Sequence, residues 1–568
     1  MTSATARLVA RLLEFTWLCA LGVALVFSAL TTDRRARQVE ENPSFCDPFG
    51  YLQMAQDIRQ AAAAGKTPQF TLESPHTRLL IELMQAHQVP LLRWDEMVAP
   101  LACHYFPAAD HVALQYSPGA PLMLAPFPEG RALHDLNRFV TALFLVVGLF
   151  MLLVAAIKRT PVSAGLFILA LNLGLEILGQ LDNASFSINA ILSPLLASGL
   201  CLAAAFALRR ANTRSFYLAW FVTLLAGLLF GFALLTRLPL VFLIPGILLV
   251  LWPVNARSWY KGAWLPFILG VLLGGALPLA VHQSRVAGAW YLPTYAHENT
   301  TPPSLNFVRP NISYYFGPGK SSTVNWVLPV IFIACVGLIF LSKRKATAES
   351  PAAFVREPGL GRLIAAALLM LGVSNIYFLT HEARVHYYPW PAMFGASLLL
   401  ALGAFALEDH SFATIRDRGW LRRALVLVAL TLALAPGLVV IGRVWSRYEP
   451  SSRESPPKQF SLPAELADES AWVWACELSG TLWYYARKPS HKITSTNPET
   501  RKLVYEFVIR RGEPQYIISD HAGMDAVADE IVQLGGTLER RGEVDGYSYF
   551  LIHWPPGFVH GPLPNPSR

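Results

Sequence analysis

Charge is the scarcest ingredient of this 568-residue chain: Asp, Glu, Lys and Arg make up 15% of it, against 54% hydrophobic residues and a mean hydropathy of +0.39. A soluble multidomain protein needs more charge than that, so the chain belongs in a bilayer. The formal charge of +8 does not point to nucleic acid. The basic residues sit in short clusters beside apolar runs, where the positive-inside rule puts them. Other features are missing as well. No G-x-G-x-x-G follows a strand-like run, which removes the dinucleotide fingerprint. Internal repeats, low-complexity tracts and the inverted symmetry common in secondary transporters are not visible. No A-x-A site precedes Asp33, so the first apolar segment reads as a retained span rather than a cleaved signal peptide.

What is abundant is apolar length. About eleven segments are long enough to span as helices, near 12–30, 137–157, 162–180, 187–208, 215–236, 238–253, 264–282, 325–342, 362–380, 386–407 and 424–442. Arg7, Arg11, Lys158, Arg159, Arg209, Arg210, Arg257, Lys261, Lys343, Lys345, Arg416 and Arg422 then all fall on one face. That face is cytoplasmic by the positive-inside rule, which puts the N-terminus inside. Residues 31–136, the loop 283–324, the turn 381–386 and the tail from 443 fall outside.

The first outer loop is too long for a connector. It holds two stretches with helical periodicity, "GYLQMAQDIRQAAAAG" and "HTRLLIELMQAH", which suit helices lying flat at a membrane interface or an ordinary small globular loop domain. Cys46, Cys103 and Cys476 would face an oxidising compartment; a Cys46 to Cys103 bridge and unrelated thiols both fit the spacing. After the Pro- and Ser-rich "RYEPSSRESPPKQFSLP" the composition turns soluble. "AWVWACEL", "HKITS", "PQYIISD" and "GEVDGYSYFLIHW" read as strands, while "TLWYYARK", "PETRKLVYEFVIRRG" and "MDAVADEIVQLGG" read as helices. The expected architecture is an α-helical polytopic membrane module, 1–446, followed by a small extracytoplasmic α/β domain, 447–568.

Ionisable groups at the outer ends of spans are the informative residues, because desolvating them is expensive unless they face a cavity or a partner. Asp47, in "FCDPFGYLQMAQDIR", is the first, beside Tyr51. It could serve as a general base or simply start a turn before Pro48. The second group is Asp110, His111 and Tyr116, in or just before "HVALQYSPGAPLMLAPF"; the first two are a second acid, a metal-assisting pair, or solvated loop residues. The third is "THEARVHYYPWPAMFGA", with His381, Glu382, Arg384, His386 and Tyr387. An arginine among aromatics and prolines is placed to hold a phosphate through its planar fork. Arg237 is an outer-face cation that breaks the positive-inside pattern. The fourth is the loop with His297, Glu298, Asn299, Arg309 and two tyrosines, equally a sugar-stacking surface or a plain loop. Asn183, Asn299 and Asn311 each begin an N-x-[ST] sequon.

These residues together resemble the GT-C type polytopic membrane glycosyltransferases, the class that includes bacterial aminoarabinose transferases and protein O-mannosyltransferases. The resemblance rests on Asp47 in a large first outer loop, and on "QYSPGAPLMLAPF", similar to an H-Y-P-P-G-x-P-L-L-L pattern. It also rests on "EARVHYYPWPA", similar to E-R-Y-x-x-P-x-x-P, and on the outer tail. It departs at Gln115, where many members carry His, and in the two residues between Arg384 and Tyr387.

The resemblance implies a sugar donor carried on polyprenyl phosphate, a glycan, lipid or protein acceptor outside the membrane, Asp47 as base and Arg384 on the lipid phosphate. It implies a multi-pass protein of the bacterial inner membrane. No D-x-D or D-E pair stands beside Asp47, which argues against an obligatory metal: a divalent metal is possible but not indicated, and no cofactor is certain. The alternative is a multi-span transporter or lipid flippase of the cell envelope, which accounts for Asn172, Glu176 and Gln180 inside an apolar segment. A non-catalytic envelope-assembly protein is the third reading.

Overall fold

The computed structural model describes residues 3–37, 46–180, 216–252, 264–294, 303–316, 360–382, 390–411 and 459–558. The main α-helices among the described residues, in chain order, are α1 (Ser3–Ala36), α2 (Cys46–Ala63), α3 (Pro75–Ala86), α4 (Gly119–Leu124), α5 (Ala132–Lys158), α6 (Pro161–Gln180), α7 (Phe216–Thr236), α8 (Ile244–Leu251), α9 (Trp264–Val271), α10 (Leu277–Val286), α11 (Val308–Phe316), α12 (Leu360–Thr380), α13 (Trp390–Ser411), α14 (Ser479–Ala486), α15 (Pro498–Arg511) and α16 (Ala522–Gln533), with a single turn at Ala464–Ala467. The strands are β1 (Cys103–Phe106), β2 (His111–Leu114), β3 (Trp472–Trp474), β4 (Gln515–Ile518), β5 (Thr537–Val544) and β6 (Tyr547–His553). The chain divides into two compact units, Met1–Val39 with His134–Pro278 and Thr301–Glu454, and Glu40–Leu133 with Leu279–Thr300 and Ser455–Arg568.

The described residues of the first unit are helical. Four helices among the described residues are long and apolar enough to cross a membrane: Arg11–Arg34, Ala132–Lys158, Trp264–Val286 and Gly361–Thr380. The protein is therefore a helical membrane protein. On α5, Leu136, Val140 and Phe144 are buried while Phe139, Val146, Phe150 and Ile157 are exposed, the division expected of a helix with one face in protein and one in lipid. The expected span 238–253 comes in two pieces, a 3-10 turn Leu238–Leu243 and then α8, with Pro239 and Pro245 each in a first turn. Proline has no N–H to give an inner turn and fits only where a helix starts. The segments near 187–208, 325–342 and 424–442 lie outside the described residues.

Backbone contact holds α7 to α9 and to the π turn Leu272–Ala276 after it. A Cβ on Gly227 would lie 2.1 Å from the Phe267 carbonyl oxygen, and one on Gly231 would lie 2.7 Å from the Gly275 nitrogen. Without a hydrophobic force between helices in lipid, such close approach of small residues supplies the packing. At the end of α1, Asp33 accepts from Nε of Arg138 on α5 at 2.8 Å and from Nε of Arg37 at 3.0 Å.

The second unit combines the long loop after α1 with the C-terminal segment. Its C-terminal sheet runs β3-β4-β6-β5, with β3 parallel to β4 and the other pairs antiparallel. Leu466, Val473, Leu482, Ile518 and Val544 are fully or almost fully buried in its core. The helices α14, α15 and α16 fall on the three stretches with helical periodicity. "HKITS" does not form a strand: only His491 bridges Trp474, and Ile493–Ser495 turns as 3-10. In the loop part, β1 and β2 form a hairpin with Cys103 opposite Leu114. Phe49, Tyr51, Leu52, Met54 and Ala55 on α2 are at most 2% exposed, and Gln53 is 1% exposed. Burial on every face of its first half encloses α2 between α4 and α14, instead of laying it flat with one wet face.

Candidate functional site

The site is built from the start of α2. Asp47 is in its first turn; the side chains of Asp47 and Cys46 lie outside the described residues. At the i+3 and i+4 positions from Asp47, on the same helical face, are Gly50 and Tyr51. Tyr51 packs at 4.6 Å, centroid to centroid, on the ring of Tyr116. A Cβ on Gly50 would lie 2.0 Å from Cε2 of Tyr116, so glycine is what lets the ring slide under the helix. Tyr116 itself is 1% exposed. His282 on α10 donates from Nε2 to its carbonyl oxygen at 3.0 Å. The two loop stretches richest in sequence signal, "FCDPFGY" and "QYSPG", thus meet in one packed group.

Behind Tyr116 runs a buried polar chain. Gln115 donates from Nε2 to the Tyr116 hydroxyl at 3.4 Å, and its Oε1 accepts from Nε2 of His104 at 2.5 Å. Nδ1 of His104 lies 3.9 Å from a carboxylate oxygen of Asp95. Gln115, His104 and Asp95 are 1%, 2% and 4% exposed, so each needs its partner to offset lost hydration. The hairpin β1/β2 makes this possible by placing His104 and Gln115 on adjacent strand ends.

Asp110 and His111 go elsewhere. Asp110 takes a two-pronged bond from Arg78, at 3.0 and 2.8 Å, and another at 2.8 Å from the Tyr105 hydroxyl. Those hydrogen bonds hold its carboxyl below the usual carboxylate range. His111 donates from Nε2 to the Val286 carbonyl at 2.8 Å, fastening β2 to the end of α10. Among the described residues, no group of three or more His, Cys, Asp or Glu is placed to hold a metal ion.

In the membrane unit, Arg237 is 9% exposed and precedes the 3-10 turn, where Pro239 interrupts the helical ladder. His381 is buried and Glu382 exposed at the end of α12, the His381 ring lying 5.2 Å from that of Tyr377. Asn311, fully buried, donates from Nδ2 to the carbonyls of Phe378 at 3.1 Å, Leu379 at 3.0 Å and His381 at 2.6 Å. Ser304 N–H reaches the Thr380 carbonyl at 2.8 Å. The last carbonyls of α12, orphaned by the end of the helix, are satisfied by this loop, so the Asn311 sequon is a helix cap and not a surface acceptor. His297, Glu298, Arg384, His386 and Tyr387 lie outside the described residues.

Sequence reasoning passed over the other side of α2. Gln53 and Gln56, one turn apart, both accept from Arg487, at 2.9 and 2.6 Å. Gln53 also donates to Asp57 at 2.7 Å, and Gln56 to Glu129 at 2.9 Å. Burial pushes Asp57 up to about 6, while the Gln53 bond and the Arg487 charge pull it down. The local signal was only a run of glutamines; Arg487 is too distant in sequence to be paired with them by pattern.

The described residues define a helical membrane protein with a buried polar cluster under α2. No protein-family model matches the chain, and no curated protein matches it. Over 97% of its length it is similar to the crystal structure of ArnT from Cupriavidus metallidurans in the apo state, at 12% identity, covering 98% of that chain with a TM-score of 0.48.

Proposed function

We propose that the protein is an integral membrane glycosyltransferase of the GT-C type, with about eleven spans, that moves a hexosyl or pentosyl group from polyprenyl phosphate to an acceptor outside the membrane. The observation that carries this reading is the packing of the Asp47 turn on Tyr116: the two separate loop motifs on which the resemblance rests form one group, Gly50 and Tyr51 against Tyr116.

In the reaction, a lone pair of the acceptor hydroxyl or amine attacks the anomeric carbon. The bond from that carbon to the phosphate oxygen breaks, and the polyprenyl phosphate leaves with its electron pair. Asp47 takes the proton from the acceptor, and Arg384 with Arg237 offsets the charge on the departing phosphate. One in-line step inverts the anomeric centre. The C-terminal segment 447–568 is read as an extracytoplasmic α/β domain, with the N-terminus on the cytoplasmic side of a bacterial inner membrane.

The test is transfer of label from a panel of radiolabelled polyprenyl-phosphate sugars into membranes holding wild type or Asp47→Asn. Label moving with wild type alone is the expected result. Equal transfer by both, or retained configuration in the product, overturns the reading. Flipping of the same lipids in proteoliposomes without transfer would establish the flippase instead.

A further inference from the structure

Arg487, a side chain that the proposed reaction does not use, ties the C-terminal segment to α2. Arg487 ends α14 in the left-handed region, at φ 52°, where few residues other than glycine, Asn and Asp settle readily. Its guanidinium spans Gln53 Oε1 at 2.9 Å and Gln56 Oε1 at 2.6 Å. Both glutamines are largely buried, at 1% and 9% exposure, and both pass the contact on, Gln53 to Asp57 at 2.7 Å and Gln56 to Glu129 at 2.9 Å. One turn further, Arg59 donates to the Phe127 carbonyl at 3.0 Å.

The arrangement is a clamp on a rigid rod. Residues three apart on a helix lie on one face, and the planar fork of arginine can bond both, which fixes helix rotation as well as position. Gly50 and Tyr51, on the other side of α2, rest on Tyr116. Held on two sides, α2 can neither roll nor slide, and its first turn is where Asp47 stands.

We propose that Arg487 is a positioning residue for transfer: through Gln53 and Gln56 it sets the rotation and axial position of α2, and so the place of Asp47. This rests on Asp47 being the base. Arg487 touches neither donor nor acceptor; the C-terminal segment acts on the reaction by holding the helix that carries the base.

The experiment compares full-length wild type, Arg487→Gln, Arg487→Lys, Gln53→Ala/Gln56→Ala and Asp47→Asn in nanodiscs, with the polyprenyl-phosphate sugar selected by the panel above. Misplacing a catalytic group by about 1 Å lowers turnover on the order of 100-fold. Arg487→Gln is expected to lose turnover on that scale while KM for the lipid donor and the melting profile stay put. Arg487→Lys should recover part of it, since an ammonium keeps the charge without the fork. The double glutamine variant should match Arg487→Gln, and it decides the matter if Arg487→Gln does not fold. Wild-type turnover in folded Arg487→Gln or in the double variant, with Asp47→Asn dead, overturns the role of Arg487 and leaves the base standing. Asp47→Asn as active as wild type removes the base reading itself.

Discussion

Acid should loosen the contact between α3 and the C-terminal sheet, and the share of one histidine can be isolated. His76 on α3 stacks on Trp472 of β3, centroids 4.1 Å apart, and His491 lies against the same indole at 5.5 Å. His491 donates from Nδ1 to the Val98 carbonyl at 3.1 Å. Among the described residues, Nδ1 of His76 and Nε2 of His491 are buried without a hydrogen-bond partner. Burial, with Lys488 nearby, takes His76 down to about 4; burial, with His76 nearby, takes His491 down to about 3. A histidine whose folded pKa is depressed contributes stability that is fully present above its unfolded value of 6.5 and is lost as pH falls from there toward about 4. One unit of separation is worth about 1.4 kcal/mol. Integrated from pH 7 to pH 5, His76 alone favours the opened state by about 2 kcal/mol, roughly 25-fold in an opening equilibrium.

Two carboxyls oppose this. Burial lifts Asp57 and Asp520 to about 6, and a carboxyl raised in the folded state gains stability as pH falls through that window, about 1 kcal/mol each by pH 5. The wild-type profile is therefore flatter than the histidines alone would make it. His76→Phe keeps a stacking ring and removes the titration, while the carboxyls titrate alike in both proteins and cancel in the difference. The measurement is hydrogen exchange of the β3 peptide, Trp472–Trp474, in the full chain in nanodiscs at pH 5, 6 and 7, corrected for intrinsic rates. Wild type should lose about 2 kcal/mol more protection than His76→Phe between pH 7 and 5. Parallel profiles would refute the reasoning, because they would mean that His76 is already charged or solvated in the folded state.

Two further predictions use single atoms. Gly50→Ala puts a methyl 2.0 Å from Cε2 of Tyr116; transfer should fall while the amount of protein in the membrane holds, and an active, well-expressed variant would show that Tyr116 need not sit there. Asn311→Asp replaces the amide donor to three carbonyls with a carboxylate that can only accept, for a loss of about 1–3 kcal/mol seen as a lower melting temperature in detergent. In a host with N-glycosylation, no glycan mass should appear on the peptide containing Asn311.

Local pattern carried far in this protein. The 3.6-residue period of "PETRKLVYEFVIRRG" becomes α15, closed by Gly512 at φ 67°, because cap chemistry and periodicity act over one or two turns. "HKITS" misled for the opposite reason: His491, apolar neighbours and β-branched residues suit a strand, but burial of the imidazole against Trp472 and Trp474 leaves a single bridge. Asn311 reads as a sequon from three adjacent letters and is a helix cap only because α12 ends beside it.

The amino-acid sequence by itself determined that the chain enters a membrane, where several of its helices lie, and that a long polar loop and a tail of different composition interrupt and follow the apolar runs. Hydropathy and helix caps are short-range, so they can be read from neighbours along the chain. Tertiary structure alone decided that Tyr116 lies beneath Gly50, that Gln115 faces His104, and that Arg487 grips α2 across 434 and 431 residues of sequence. Those partners are chosen by which buried donor meets which buried acceptor once the chain is compact, and no periodicity records that choice.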